Sequence, residues 1–307
     1  DYLYEKHFTP DAAQAAQCAV LEFEGVYHNA EVHLNGEKIA SCPYGYSDFY
    51  ADLTGKLLPG RDNVLEVIAH NADQPNSRWY SGAGIYRPVT LWTAPARHIL
   101  PDGVQVRTLS IDPAEVEVTV QTTASGAVAV AILDDEQTVA TAQAESNGKA
   151  VLRVQIPNAK LWSPDSPALY RCRAMFGDDC AETTFGVRTL SWGDDGFLLN
   201  GKRVILLGAC VHHDHGVLGA CCYPEVEERK VRLLQKVGYN AVRCAHNPCS
   251  KAFLDACDRL GMLVMDEYAD MWYIHKTQYD YAGYLPDRWR QDLESIVRKD
   301  YSHPSVI

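Results

Sequence analysis

Three short apolar runs between residues 200 and 272 each end in polar side chains, and helix-period segments separate them. The runs cover residues 204–207, 239–244 and 262–265. A strand–helix–strand–helix–strand order is typical of a parallel sheet built from βα units. Polar side chains that follow successive parallel strands mark the active face of a barrel. The pattern therefore predicts parallel βα structure with a functional site at the strand ends.

The segments between and after these runs have the period of amphipathic helices. One helix is predicted over 225–237 and a second over 252–260, where Gly261 ends the helix. A third is predicted to begin at Pro286-Asp287, because proline and an acidic residue both suit the first turn. The predicted buried stripes of the first and third helices are Val226, Leu233, Leu234 and Val237, and Trp289, Leu293, Ile296 and Val297.

The chain before residue 188 has the alternating pattern of antiparallel β-structure. In residues 1–95, the alternation over 31–34 leads into Asn35-Gly36, a pair typical of a two-residue hairpin turn. In residues 96–187, apolar and polar residues alternate over 115–120, which predicts a strand with one wet face. We expect a β-sandwich in the first part and an immunoglobulin-like β-sandwich in the second.

Composition limits the partners of this 307-residue chain. A formal charge of −12 argues against a nucleic-acid or anionic-membrane surface, which needs clustered Lys and Arg. No apolar run approaches the roughly 20 residues that span a bilayer. The ten cysteines form no C-x-x-C pair and favour a reduced, cytoplasmic protein. Cys172 and Cys180, which flank a turn, are the pair best placed for a disulfide.

An aromatic, glycine-rich stretch at residues 75–88 allows two interpretations. The side chains of Trp79 and Tyr80 offer flat apolar faces that suit stacking on sugar rings. The alternative is a buried loop held by a cation–π pair.

Residues 212–215, His-His-Asp-His, follow the first apolar run. A metal cluster is one interpretation, but adjacent residues on a strand alternate faces, so four in a row cannot converge on one ion. At least one of these histidines is expected to be structural. The others favour a hydrogen-bonding ring for a polar, uncharged ligand such as a sugar.

Four ordered motifs in residues 198–307 resemble the start of the catalytic barrel of glycoside hydrolase family two, the group of β-galactosidases, β-glucuronidases and β-mannosidases. The motifs are Asn200-Gly201-Lys202, residues 208–215, residues 240–248 and residues 257–267. Upstream, Asn35-Gly36 and residues 77–87 resemble the sugar-binding sandwich of the family. The resemblance implies a jelly-roll-like β-sandwich, an immunoglobulin-like β-sandwich and, over residues 188–307, the N-terminal part of a (β/α)8 TIM barrel.

The resemblance also implies an enzyme, a retaining exo-β-glycosidase that hydrolyses terminal β-galactosides. The motif variants over residues 212–216 and 266–272 are most similar to those of bacterial β-galactosidases. A β-glucuronidase or a β-mannosidase is the alternative within the family, and a glucuronidase would need cations that pair with the substrate carboxylate. A non-catalytic carbohydrate-binding protein is the alternative from another class. The expected partner is a β-linked glycoside.

Individual residues take roles from this resemblance. His212, Asp214 and His246 are expected to contact sugar hydroxyls, whereas Arg243 and Asn247 are expected to support the pocket floor. Glu267 either contacts the substrate or forms an ion pair with Arg243. The complete set of predicted substrate-binding residues is Arg78, Trp79, His212, Asp214, His246, Asn247 and Glu267.

Some family members hold magnesium just beyond the third strand. Residues 270–272, Asp-Met-Trp, depart from the acid–x–His pattern of those members, so no metal or other cofactor is expected.

A retaining glycosidase needs two carboxylates about 5–5.5 Å apart. In the family, the acid/base follows an Asn shortly after a His-Pro-Ser-x-Ile run, which is found here at residues 303–307. Both catalytic carboxylates are therefore expected beyond Ile307, and residues 1–307 alone are expected to be inactive. A partial barrel would also leave strand edges and apolar surface exposed, so residues 200–307 are expected to self-associate into a homo-oligomer.

Overall fold

The computed structural model describes residues 1–307, and its first part is a sandwich of two antiparallel sheets. Its elements are β1 (Tyr2–Phe8), α1 (Ala12–Ala16), β2 (Cys18–Phe23), β3 (Val26–Tyr27), β4 (Ala30–Leu34), β5 (Glu37–Cys42), β6 (Phe49–Asp52), β7 (Asn63–Ala69), β8 (Gly84–Ile85) and β9 (Val89–Ala94). The sheets have the orders β1-β7-β4-β5 and β6-β2-β9, and one apolar core draws on both. Asn35 and Gly36, with φ of 52° and 83°, form the predicted turn between β4 and β5.

The second part is an immunoglobulin-like sandwich built on three long strands. Its strands are β10 (Ile99–Ile111), β11 (Ala114–Asp134), β12 (Gln137–Gln155), β13 (Trp162–Ser163), β14 (Ser166–Pro167), β15 (Tyr170–Phe176) and β16 (Asp179–Phe185). The first half of β11 pairs with β10 and the second half with β15, so this strand passes from one layer to the other. Val116, Val118 and Val120 are fully buried between the layers, as their alternation predicts.

The two cysteines that the sequence marks as best placed for a disulfide, Cys172 and Cys180, do not form one. Cys172 lies opposite Thr183 in the β15–β16 hairpin and faces the core, whereas Cys180 lies opposite Met175 and is exposed. The two side chains therefore lie on separate rungs of the hairpin, and both cysteines are free.

The third part contains three parallel strands with helices between them. Its elements are β17 (Leu190–Gly193), β18 (Gly196–Leu199), β19 (Lys202–Arg203), β20 (Gly208–Val211), α2 (Pro224–Lys236), β21 (Ala241–Cys244), α3 (Lys251–Leu260), β22 (Leu263–Asp266) and α4 (Leu285–Asp300). Strands β20, β21 and β22 pair in parallel in that order, which confirms the predicted βα pattern. A parallel bridge pairs Val264 of β22 with Val306, so Val306 lies beside β22 at the edge of this sheet. No helix of the structure combines the length and the apolar character that crossing a membrane requires.

The first parallel strand begins later than predicted. Residues 204–207 form no strand, and the first parallel pair joins Gly208 to Ala241. The backbone of this run bonds instead to the side chain of Asn240, which accepts from the Leu207 N–H at 2.8 Å and donates to the Ile205 carbonyl at 2.9 Å. Val204 packs against a core cluster, but Ile205 is 67% exposed and Leu207 is 56% exposed, so most of this apolar run stays outside the core.

The helices bury narrower stripes than their periodicity predicts. Of the stripe predicted for α2, Val226 and Leu234 are half-buried, and Leu233 and the C-cap residue Val237 are exposed, whereas Val231 is buried. In α4, Ile296 is buried while Val297 is exposed. Helix α3 follows its prediction closely, with its apolar face buried and its last turn closed by a left-handed glycine.

Tyrosines and one buried arginine join the first sandwich to the strand ends. Tyr44, in the β5–β6 loop, donates to the Asn247 side chain at 2.8 Å and to the Tyr268 carbonyl. The buried guanidinium of Arg87 donates to the carbonyls of Pro248 at 2.6 Å and of Tyr46 at 3.2 Å. These contacts fix the loop that follows β21 against the sandwich.

Candidate functional site

Three aromatic rings from two domains meet above the carboxyl ends of the parallel strands. His212 follows β20 and His246 follows β21, and their ring centroids lie 5.6 Å apart. The ring of Trp79, in the sandwich loop between β7 and β8, lies 5.4 Å from His212 and 5.2 Å from His246. All three residues are predicted from the sequence to bind the substrate, and the structure brings them together. We call this group the ring cluster.

Glu267 holds the His246 side of the ring cluster. Its carboxylate accepts from the guanidinium of Arg243, and its Oε2 lies 3.0 Å from Nδ1 of His246. Burial acts to raise the pKa of Glu267, but the hydrogen bonds and charges of Arg243 and His246 outweigh it and leave this pKa below its ordinary value. Glu267 therefore stays ionised and orients His246, whose Nε2 is left for a ligand. The predicted ion pair with Arg243 is therefore present, and a contact of Glu267 with the substrate stays a prediction.

Arg78 and Asp270 lock the Trp79 loop onto the barrel. The guanidinium of Arg78 donates to the carboxylate of Asp270 from Nε at 2.9 Å and from Nη2 at 2.5 Å. Lys276 Nζ lies 2.9 Å from the same carboxylate, so these cations lower the pKa of Asp270 against the opposing effect of burial. Arg78 also lies 5.8 Å from the centroid of the Trp79 ring, which is the cation–π pair of the alternative interpretation. The cation–π pair of the alternative interpretation is therefore present, although the loop is only partly buried. Trp79 is half-buried and faces the two histidines, and its stacking on a sugar stays a prediction.

Two predicted substrate-binding residues lie apart from the ring cluster. Asn247 is buried, with its Oδ1 bonded to the Tyr44 hydroxyl and its Nδ2 without a hydrogen-bond partner. Asn247 thus supports the floor rather than lining the open face. Asp214 is exposed and acts on His212 only through its charge.

The other two histidines of the His-His-Asp-His run are structural. His213 is half-buried and lies 3.3 Å from the Asn247 carbonyl. Desolvation of its ring and the charge of Arg87 hold the pKa of His213 well below the ordinary value. His215 is buried beside Glu227, at 3.4 Å. His212 and His213 point to opposite sides, as the alternation of neighbouring residues predicts.

Three clusters of acidic, thiol and imidazole groups have ligand atoms close enough to hold a metal ion. They are Cys244, Cys249 and Asp266; Asp255, Asp258 and His303; and Glu22, Asp48 and Asp102. The first faces the ammonium of Lys299, 3.5 Å from the aspartate. The third surrounds the ammonium of Lys251, which lies 2.5 Å from Glu22 and 3.0 Å from Asp102. In both clusters a lysine therefore already supplies the cation.

Sequence reasoning missed the residues that hold the site from beneath. Tyr44 and Glu227 each contact a strand-end loop, yet nothing in their local sequence marks them. Arg87 lies in the stretch at residues 75–88, but its contact with the loop after β21 was not predicted. Asp270 was noted only for its departure from a metal-binding pattern. Its partner Arg78 was predicted, and a long-range ion pair between the two could not be inferred from spacing alone.

Comparisons with known proteins identify first the class of protein to which this chain is similar and then its family. Two sandwiches that precede a parallel barrel, with histidines at its strand ends, match glycoside hydrolases. The family model for the "Glycosyl hydrolase 2 galactose-binding domain-like" domain matches residues 1–97. The "Glycosyl hydrolases family 2" model matches residues 101–188, and the model of the TIM barrel domain of that family matches residues 191–307. The chain belongs to glycosyl hydrolase family 2.

Individual relatives have similar sequences and structures. A β-galactosidase from Bacteroides ovatus is 38% identical over 99% of this chain and 38% of its own length. A putative β-glucuronidase from Formosa agariphila is 34% identical over 99% of this chain and 31% of its own. A family 2 crystal structure from Bacteroides cellulosilyticus has a TM-score of 0.93 at 39% identity, and covers 99% of this chain and 42% of that one. The chain thus spans about two-fifths or less of the length of these relatives.

Proposed function

We propose that this chain provides the sugar-binding face of a retaining exo-β-glycosidase that releases terminal β-galactosyl residues. The ring cluster is the observation that carries the proposal. Trp79 offers an apolar face for one side of a pyranose, while His212 and His246 offer ring nitrogens to its hydroxyls. We assign residues 1–307 the binding and orientation of the sugar, and assign none of them to the pair of carboxylates that cleaves the bond.

A neutral sugar suits the charges around the ring cluster. The guanidinium groups of Arg78 and Arg243 lie beside Trp79 and His246, and each is paired with a carboxylate, Asp270 and Glu267 respectively. Neither is free to pair with the carboxylate of a uronic acid. Within residues 1–307, the charges around the ring cluster therefore suit a neutral sugar such as a galactoside.

A β-glucuronidase is the second candidate, because a relative at 34% identity is named as one. The comparison that separates the candidates is a panel of p-nitrophenyl β-glycosides hydrolysed by the complete gene product. We expect kcat/KM for the β-galactoside to exceed that for the β-glucuronide and the β-mannoside by at least about a hundredfold, because the carboxylate of the glucuronide or the axial C2 hydroxyl of the mannoside would meet unmatched groups. A preference for the glucuronide would exclude the galactosidase proposal, and binding of sugars without turnover of any substrate would favour a carbohydrate-binding protein.

A further inference from the structure

Glu227 is a buried carboxylate that lies between the two loops of the ring cluster. It belongs to the first turn of α2, yet only 4% of its surface is exposed. Burying a carboxylate is costly unless other groups compensate for the lost water. Its neighbours therefore indicate what the charge does.

One set of contacts reaches the loop that carries His246. The Ser250 hydroxyl donates to Oε1 of Glu227 at 3.1 Å. The same hydroxyl oxygen accepts from the Phe253 N–H at 3.1 Å and caps the N-terminus of α3. Glu227 thus fixes the point where the His246 loop enters α3.

A second set of contacts reaches the loop that carries His212. Nε2 of His215 lies 3.4 Å from Oε1 of Glu227, and the Cys222 thiol donates to the same oxygen at 3.5 Å. Lys230 Nζ lies 3.7 Å from Oε2 and donates to the backbone carbonyl of His212 at 3.0 Å. One carboxylate therefore holds both ends of this loop, directly at His215 and Cys222 and through Lys230 at His212.

The charge of Glu227 is needed for these contacts. Burial acts to raise its pKa, but the hydrogen bond from His215 and the charge of Lys230 outweigh it and lower the pKa to about 2. The side chain is therefore ionised at neutral pH. An amide of the same shape would attract Lys230 and His215 far less and would place an N–H group beside one of these donors.

We propose that Glu227 is a positioning residue that sets the separation of His212 and His246, and so controls the affinity of the site for its sugar. The inference rests on the proposed function only for the identity of that sugar. No contact of Glu227 with substrate is involved, since the side chain is enclosed beneath the loops.

The test compares Glu227→Gln with Glu228→Gln in the complete gene product. Glu228 is the next residue of α2, and its carboxylate pairs with Arg232 and Arg259 at the surface. We expect Glu227→Gln to raise both KM for the hydrolysed glycoside and Ki for the free sugar by about tenfold, because small displacements of binding groups have effects of this size or larger. Glu228→Gln should leave both constants unchanged. A lower folded fraction would reduce kcat alone, so KM and Ki separate positioning from general stability.

A second readout does not depend on any sugar. Hydrogen exchange should become about tenfold faster at amides 212–216 and 245–250 in Glu227→Gln, and should stay unchanged in the first sandwich. If the wild-type protein hydrolyses no glycoside, the proposed function fails and hydrogen exchange alone decides the role of Glu227. If Glu227→Gln does not fold, Lys230→Met tests the link to the His212 loop by the same measurements. Unchanged KM and Ki, or unchanged exchange in both loops where no substrate is found, would overturn the proposal.

Discussion

At the scale of single residues, some side chains of the site could be predicted from the local sequence and others could not. His212, His246 and Glu267 could be predicted because each follows an apolar run, and parallel strands bring their carboxyl ends to one edge. Tyr44 could not be predicted, because its partner Asn247 lies 203 positions further along the chain. A long-range contact of this kind leaves no periodic signal in the sequence.

Trp79 gives the first prediction at this scale. Trp79→Ala should lower kcat/KM for the preferred glycoside at least about tenfold, because an aromatic face contributes roughly 0.5–1.5 kcal/mol beyond the apolar area that it buries. Trp192→Ala is the matched control, since Trp192 is an exposed tryptophan of the β17–β18 hairpin that packs on Phe197. Equal kcat/KM values in the two variants would argue against a sugar contact at Trp79.

At the scale of elements, the predictions that agree with the structure are those in which a residue determines the conformation of its own backbone. Gly261 ended α3 as predicted, because a left-handed φ of 78° suits glycine. The run over residues 204–207 was predicted as a strand from its apolar side chains, but a strand also needs a partner for its backbone. Here the partner of the backbone is the side chain of Asn240, and a sequence pattern does not show which group will be that partner.

Gly261 also gives a prediction about packing between elements. A Cβ at this position would lie 2.2 Å from the Pro164 carbonyl oxygen in the immunoglobulin-like domain. Gly238 has φ of 95° with open space around it, so Gly238→Ala isolates the cost of the backbone conformation, roughly 1–2 kcal/mol. We expect Gly261→Ala to lower the free energy of unfolding by about 1–3 kcal/mol more than Gly238→Ala, from the overpacking. Equal losses in denaturant unfolding would show that the α3 end does not pack tightly on that domain.

At the scale of the whole molecule, one lysine joins the three parts of the chain. Lys251, at the start of α3, contacts Glu22 of the first sandwich at 2.5 Å and Asp102 of the second at 3.0 Å. Asp48 lies beside this group, 3.9 Å from the ammonium, and both of its buried carboxylate oxygens lack hydrogen-bond partners. The position of the Trp79 loop over the strand ends thus depends on a buried charge cluster as well as on the tyrosines.

Asp48 gives the prediction at this scale. Burial raises its pKa from 3.8 to about 7, against the opposing effect of Lys251. Because the folded state binds this proton more tightly than the unfolded state, the contribution of Asp48 to stability is full below pH 3.8 and is lost as the pH rises to about 7. We expect Asp48→Asn to gain stability relative to the wild type across this range, by about 1–4 kcal/mol at pH 8.

The measurement is denaturant unfolding at a series of pH values, with Asp165→Asn as the control. Asp165 is exposed in the turn between β13 and β14. Its variant should follow the wild-type profile throughout. If the stability profile of Asp48→Asn also runs parallel to that of the wild type from pH 4 to pH 8, burial does not raise the pKa of the Asp48 carboxyl group.

The central claim is that Trp79, His212 and His246 together bind the terminal sugar. The most direct measurement is a crystal structure of the complete gene product soaked with galactose. We expect the apolar face of the sugar to pack on Trp79 within about 4.5 Å and its hydroxyls to lie within about 3.2 Å of ring nitrogens of His212 and His246. Galactose bound at another place, with the ring cluster unchanged and filled by solvent, would contradict the account.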